Sequence, residues 1–495
     1  MKGDFSRITF DPSNRFSSVL LQQGRVTLDA DPNEQASILL HYLRTLAKDL
    51  IGPYGGPEDN CGFELTVTNA ANAAKLTIGA GRYYVDGILC ESEGCDYANQ
   101  PDYTPPAPSS DGKDGDALLA HLQRSNQSGQ TFLVYLDVWE RLITWIEDDR
   151  IREVALGGPD TCVRSKVVWQ VKATTVDDVV ATVRRQLAAI EEQLKNTQEG
   201  PEQVALKARA KDLAREITQL SHLPCTVPLD TFSAPGQAQM AARLDPGQEI
   251  QDPCVISPSA VYRGAENQLY RVEIQLGGAL NERPSFKWSR DNGSVATRWL
   301  GTDGNDLLVT SARKFAAGNW VELCDDSLDL QGVPGMLVKL AKVQNDRLTV
   351  DPDSIPKDHS LAWTPTLSNP KVRRWDQTEN DNITLVDGAV PIVKGTATDP
   401  SWIDLEDSIQ IQFAADGIYR SGDYWLIPAR VATGTIDWPA STDGKTQFKL
   451  PMGITHHYAP LGILSWPDGH ISIRQCRCSF RQNATCKEAS TKKKA

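Results

Sequence analysis

The sequence predicts a mainly β protein of the α+β class: several small antiparallel sandwich- or barrel-like units, an N-terminal amphipathic helix and an inserted antiparallel helical hairpin. Three observations carry this. Short runs of alternating apolar and polar residues, punctuated by Gly and Pro, fill most of the chain. The period becomes helical in only two places, near residues 32–50 and 179–220. No segment recurs at a fixed spacing, which argues against a solenoid, a propeller or a β-helix.

The first helix begins at Asp31-Pro32-Asn33-Glu34. There Asp31 can cap, Pro32 suits the first helical position and Glu34 can reach back as a capping-box carboxylate. Ile38, Leu39, Tyr42, Leu43, Leu46 and Leu50 continue its apolar pattern, and Gly52-Pro53 stops it. Strands follow at Phe63 to Thr68 and Lys75 to Glu91, the second folded at an Asp86-Gly87 turn. Residues 94–117, rich in Asp, Pro, Ser and Gly, read as a surface excursion. Thr131 to Trp145 alternates like a half-buried strand, and Val167 to Ala173 succeeds it. Val183, Leu187, Ile190 and Leu194, then Leu206, Ala210, Leu213, Ile217 and Leu220 beyond Gly200-Pro201, form two stripes of a helical hairpin ending at Leu223-Pro224. Its stripes are expected to satisfy each other, leaving it peripheral to the β body. Strands resume at Leu269 to Leu276 and continue through Trp425 to Ile427.

These breaks divide the chain into 1–55 (docking segment and helix), 56–177 (β domain), 178–224 (inserted hairpin), 225–380 (central β domain), 381–475 (C-terminal β domain) and 476–495 (Cys-containing, Lys-rich tail). The formal charge of -13 argues against a nucleic-acid or anionic-membrane footprint. No stretch approaches the ~20 apolar residues that span a bilayer, so the expectation is a soluble chain. Charges at Lys2, Asp4, Arg7 and Asp11 interrupt any secretory h-region, so no signal peptide is expected, and the compartment is read as the cytoplasm.

Ten cysteines are too sparse for a disulfide scaffold in a chain of 495 residues. Reduced, buried cysteine is the expectation, with Cys162, Cys254 and Cys324 each set in strand-like runs. Cys476, Cys478 and Cys486 do not match a strong zinc spacing, and no metal or other cofactor is expected.

Candidate chemistry is sparse. His456-His457 is the most tempting pair, but adjacent strand residues point to opposite faces and cannot easily share an ion. A buried, hydrogen-bonded structural histidine is preferred. Gly301 to Leu308 resembles one calcium-binding nonapeptide turn, yet such sites need stacked copies, and a plain Asp-Gly turn suffices. H-E-x-x-H, G-x-S-x-G and Walker A patterns are absent, and no catalytic residue is assigned. Three Arg-aromatic-Asp clusters stand out instead: Trp288, Arg290 and Asp291; Arg374, Trp375 and Asp376; and Tyr419, Arg420, Asp423 and Trp425. Read as sites, Trp288 could stack on a sugar while Arg290 and Asp291 bond its hydroxyls. Read structurally, Asn292-Gly293 is a type I′ hairpin turn, which needs no ligand to explain it. Such clusters are also common interface chemistry. In the N-terminal MKGDFSR segment, Phe5, Ile8 and Phe10 are apolar groups that a free tail would not usefully expose. Phe5, Arg7 and Phe10 are therefore candidate docking residues.

MKGDFSR, LQQGRVTLDADPNE at Leu21 to Glu34, VALGGPDT at Val154 to Thr161, RGAENQLYRVEI at Arg263 to Ile274, FKWSRDNGSVA at Phe286 to Ala296, RRWD at Arg373 to Asp376 and YRSGDYWLIPAR at Tyr419 to Arg430 recur together in one pattern. This pattern resembles a bacterial family of domains of unknown function associated with gene clusters of phage-tail-like contractile injection systems. The resemblance covers nearly the whole chain. It implies a structural component at the baseplate, spike or fibre end of such a virion-like particle, bound to its other subunits. The alternative is a tail-tip protein that binds or hydrolyses a cell-surface glycan, a glycoside hydrolase being the enzyme to expect. Carboxylates Asp291, Asp376 and Asp423 would then be the first suspects.

Overall fold

A computed structural model describes residues 1–70, 73–105, 116–122, 130–197, 200–220, 225, 238–246, 261–357, 359–380, 383–393, 402–414, 417–440, 446–467 and 470–481. Cys254, Cys486, the Leu223-Pro224 hairpin end, residues 106–115 of the 94–117 excursion and the Lys-rich tail lie outside the described residues. The chain is mostly β, with several antiparallel sheets. No described helix is long and apolar enough to cross a membrane.

The chain forms two compact units, each assembled from three separated stretches. The first comprises Met1–Leu39, Glu140–Lys166 and Ala234–Thr455, the second Leu40–Trp139, Val167–Ser233 and His456–Ala495. These units cut across the six consecutive blocks read from the sequence, because strands distant in the chain pair. Gln268–Leu276 pairs with Tyr424–Arg430, for example, across the 380/381 boundary. Gly and Pro mark where strands end, not which strands become neighbours.

In the first unit a five-stranded sheet runs in the order Val390–Pro391, Ser285–Ser289, Gln268–Leu276, Tyr424–Arg430, Thr435–Ile436. Its Tyr270, Val272, Ile274, Phe286, Trp288, Trp425 and Ile427 share a core with Met240, Ile409 and Ile411 of a three-stranded sheet. Six further strands close a barrel in the order Ala296–Asp303, Asp306–Val309, Arg347–Val350, Met336–Gln344, Trp320–Cys324, Lys371–Trp375. Leu307, Val321, Leu323, Val338, Leu340, Leu348 and Val372 fill it, as the two-residue alternation of each strand requires. Asn292 and Gly293 both have positive φ, and Ser294 N–H bonds the Asp291 carbonyl, the geometry of a type I′ turn. It is not a hairpin, however: the strand before it belongs to the sheet and the strand after it to the barrel.

The second unit centres on Phe63, Leu65, Tyr83, Val85, Phe132, Val134, Leu136 and Leu461. Its Asp86-Gly87 turn closes the hairpin Gly81–Val85 to Ile88–Ser92. Gly87 is required there twice over, by its positive φ and because a side chain would collide with the Arg44 backbone.

Among the described residues, three long helices complete the picture. Helix α1 (Ala30–Ile51) starts two residues before Pro32 and ends at Gly52, whose φ is +98°. Asp31 lies inside its first turn and accepts from Leu28 N–H. Helix α2 (Val176–Asn196) is capped by the Thr175 hydroxyl, and α3 (Pro201–Leu220) returns beside it. The hairpin is not self-contained: Val179, Val183 and Leu213 are buried against Leu133, Tyr135 and Ile463 of the sheet. The expectation of reduced cysteines is also corrected, since Cys225 and Cys476 form a disulfide. Cys162 is exposed and lies outside any strand. Cys90 and Cys324 are buried thiols, pushed up to about 12 chiefly by burial.

Candidate functional site

Strand alternation in the first unit puts Arg271 and Glu273 on one face of Gln268–Leu276, beside Lys287 from Ser285–Ser289. The same alternation turns Glu322, Lys371, Arg373 and Trp375 outward from the barrel. These polar faces are buried together. Lys287 lies 2.6 Å from Glu322 and 3.5 Å from Glu273, and 4.5 Å over the Trp375 ring. Glu322 also accepts from Trp375 Nε1 at 2.9 Å and from Gly335 N–H at 2.9 Å. Burial alone would raise the Glu273 and Glu322 carboxyls, but the surrounding cations hold both below the ordinary glutamate range.

The N-terminal segment inserts into this layer. Lys2 Nζ is 2.9 Å from Glu273, the Asn292 amide donates to the carbonyls of Met1 and Gly3, and the Met1 nitrogen donates to the Tyr424 hydroxyl. Phe5 packs against Leu269, Tyr424 and Leu426, and Arg430 bonds the Ser6 carbonyl. The residues read as a docking element are thus largely committed to their own unit. Met1–Gly3 and Phe5 hold strands together, Arg7 is exposed and Phe10 is half-buried. Arg271, Glu273, Lys287 and Glu322 were not singled out from the sequence, and Asn292 only as a turn residue. The signal available was a strand with charge at every second residue, which reads equally as a solvated face.

The three Arg-aromatic-Asp clusters are folding elements in the same sense. Trp288, Trp375 and Trp425 are at most 2 % exposed, so none can stack on a sugar or meet a partner in this structure. Trp425 donates to the Lys449 carbonyl. Asp291 and Asp376 both grip Arg374, and Asp376 accepts from the Arg290 backbone N–H while its own N–H bonds the Trp288 carbonyl. The Asp291 carboxyl is raised by burial, against the pull of Arg374. Arg290 also reaches Glu406 at 2.6 Å, and burial pushes that carboxyl up to about 7. Tyr419 and Asp423 are buried, whereas Arg420 is exposed on the loop between them.

The remaining candidates find local partners. His456 bonds Asp137 at 2.7 Å and His457 bonds Asp86 at 2.9 Å, so the adjacent rings address different carboxylates, as strand geometry requires. Lys172 completes the first pair and Lys48 the second. Asp303 and Asp306 of the Asp-Gly turn pair with Arg347 rather than framing a calcium loop. Glu147, Asp326 and Asp329 lie close enough to hold a cation. The Lys371 ammonium sits among them, 2.6 Å from Glu147 and from Asp329, and its pKa is raised by those charges although burial opposes this. The chain supplies its own cation there.

Among the described residues a different feature has no such partner. Residues 16–28 and helix α1 expose Phe16, Leu20, Leu21, Val26 and Leu28, then Leu39, Leu40, Tyr42, Leu43, Leu46 and Leu50. The side chains α1 turns inward include Glu34, Ile38, Arg44 and Ile51. Thr9 bonds Glu34, Val19 N–H bonds Gln35, and Lys48 pairs with Asp86. The helix therefore spends polar side chains on attachment and presents leucines to solvent, the reverse of an ordinary surface helix.

Comparison with known proteins bears on the family alone. Among curated proteins and solved structures none matches the chain. A family model described as "Family of unknown function (DUF6519)" matches residues 1–236 and 223–495. Since those two matches together span the whole sequence, the chain belongs to this family of unknown function.

Proposed function

We propose that this chain is a structural subunit of a phage-tail-like contractile injection particle, at its baseplate, spike or fibre end, assembled in the cytoplasm and joined to neighbours through its N-terminal region. The particle assignment rests on the sequence resemblance. The observation that carries the assembly role is the exposed apolar surface of residues 16–50, where helix α1 displays Tyr42 at 65 % and Leu50 at 78 % exposure. Exposed apolar side chains gathered along one helix mark interaction sites. Trp288, Trp375, Trp425, Asp291 and Asp376, which a glycan cleft would need free, are instead spent on internal packing and ion pairs.

Mass spectrometry of the purified intact particle tests the reading. The chain should be present in fixed stoichiometry with baseplate subunits. Particles that assemble fully and lack it would refute the assignment.

A further inference from the structure

Ala36, Leu39, Leu43, Leu46 and Leu50 follow one another at spacings of three, four, three and four along α1, and all five are exposed. This is the a/d repeat of a coiled-coil seam, in which each side chain enters a hole formed by a facing helix with the same spacing. From the exposure pattern we infer that this seam is a self-association surface, and that its occupant is α1 of a second copy of this chain. The inference rests on the assembly reading above and names the partner.

Two features select a second copy over a different subunit. In coiled coils the positions flanking the seam carry the charges that choose a particular partner. Here those positions are Gln35, Leu40, Tyr42, Ala47 and Asp49, with a single charge among them, so the face has little code for an unlike helix and little repulsion against itself. The area also suffices. Leu39, Leu40, Tyr42, Leu43, Leu46 and Leu50 together expose on the order of 600 Å² per chain, so two copies would bury about 1,200 Å², the lower bound of a specific stable interface. No described residue of the chain covers these side chains.

Sedimentation equilibrium and light scattering on the full-length protein test this. The unmodified chain should show a concentration-dependent mass above that of one chain. The Leu43→Asp/Leu46→Asp variant should fall to the mass of one chain with an unchanged circular dichroism spectrum and melting temperature, since both side chains are exposed. Leu43→Met/Leu46→Met should retain association. A wild-type protein that stays monomeric at its solubility limit, or an Asp variant that associates as well as wild type, would overturn the inference. Incorporation into particles separates the two readings. A monomeric wild type whose Asp variant drops out of the particle means that α1 docks on another subunit: self-association fails and the assembly role stands. A self-associating chain absent from intact particles means the opposite.

Discussion

Replacing Lys287 by Met should destabilise the first unit by about 3–5 kcal/mol, the usual cost of leaving one member of a buried ion pair without its partner. The Lys287 side chain is fully buried, and its ammonium serves two carboxylates. Their losses differ. Glu273 keeps Lys2 at 2.9 Å and Arg271 at 2.6 Å. Glu322 keeps only neutral donors, Trp375 Nε1 and Gly335 N–H, and becomes a buried charge without a cation in contact. Met preserves most of the aliphatic stem and loses the ammonium that lies over the Trp375 ring, so little of the cost is a cavity. For a unit of this size the expected fall in melting temperature is roughly 10 °C, read by calorimetry. Adding Glu322→Gln should recover part of it, because an unpaired amide costs less to bury than an unpaired carboxylate. As pH falls below about 4.5 and through the depressed native pKa of Glu322, the single variant should converge on wild type. Glu322 has a depressed native pKa, so the stability it supplies is full above the unfolded value of 4.5 and is lost as pH falls through the native one. A cost under about 1 kcal/mol, the worth of an exposed pair, would show that the layer is hydrated and refute the argument.

Three further outcomes follow from the same geometry. Glu406, raised to about 7 by burial, binds its proton more tightly folded than unfolded, so its contribution is present below pH 4.5 and lost as pH rises through 7; Glu406→Gln should flatten the stability profile over that window, as measured by urea titration at each pH. Leu213→Ala should cost about 2–5 kcal/mol in the second unit, since Leu213 fills the seam between the helical hairpin and its sheet, and a cost near zero in denaturant titration would return the hairpin to a peripheral role. Reducing the Cys225–Cys476 disulfide, which closes a loop of 251 residues, should cost about 2–4 kcal/mol, and an unchanged melting curve in reductant would show that the bond does not constrain the chain.

The elements were legible from the sequence wherever local chemistry sets them. Gly52 ends α1, Asp86-Gly87 makes a tight hairpin, and Pro201 opens the second hairpin helix, all because one residue's backbone preference decides the outcome. What stayed hidden was long-range pairing. Nothing in Tyr424–Arg430 names Gln268–Leu276 as its neighbour, because any two antiparallel strands offer the same backbone hydrogen bonds. The compact units therefore interleave in a way that punctuation does not reveal.

The candidate site failed to show in the sequence for a related reason. Period-two alternation tells which side chains share a face, not whether that face meets water. Arg271, Glu273 and Lys287 look like a solvated stripe, and become a buried layer only because the barrel presents Glu322 and Trp375 to them. Helix α1 is the converse. Its leucines look like core, and remain exposed because Lys48 pairs with the Asp86 turn and the Arg44 backbone abuts Gly87. In both places the pattern tells which side chains share a face and not what that face meets, since that depends on what packs opposite. A buried charged face can be satisfied within one chain, as this one is. An exposed leucine seam gains nothing until a second helix arrives, which is why the proposed self-association rests on α1 and not on the Arg, Trp and Asp motifs.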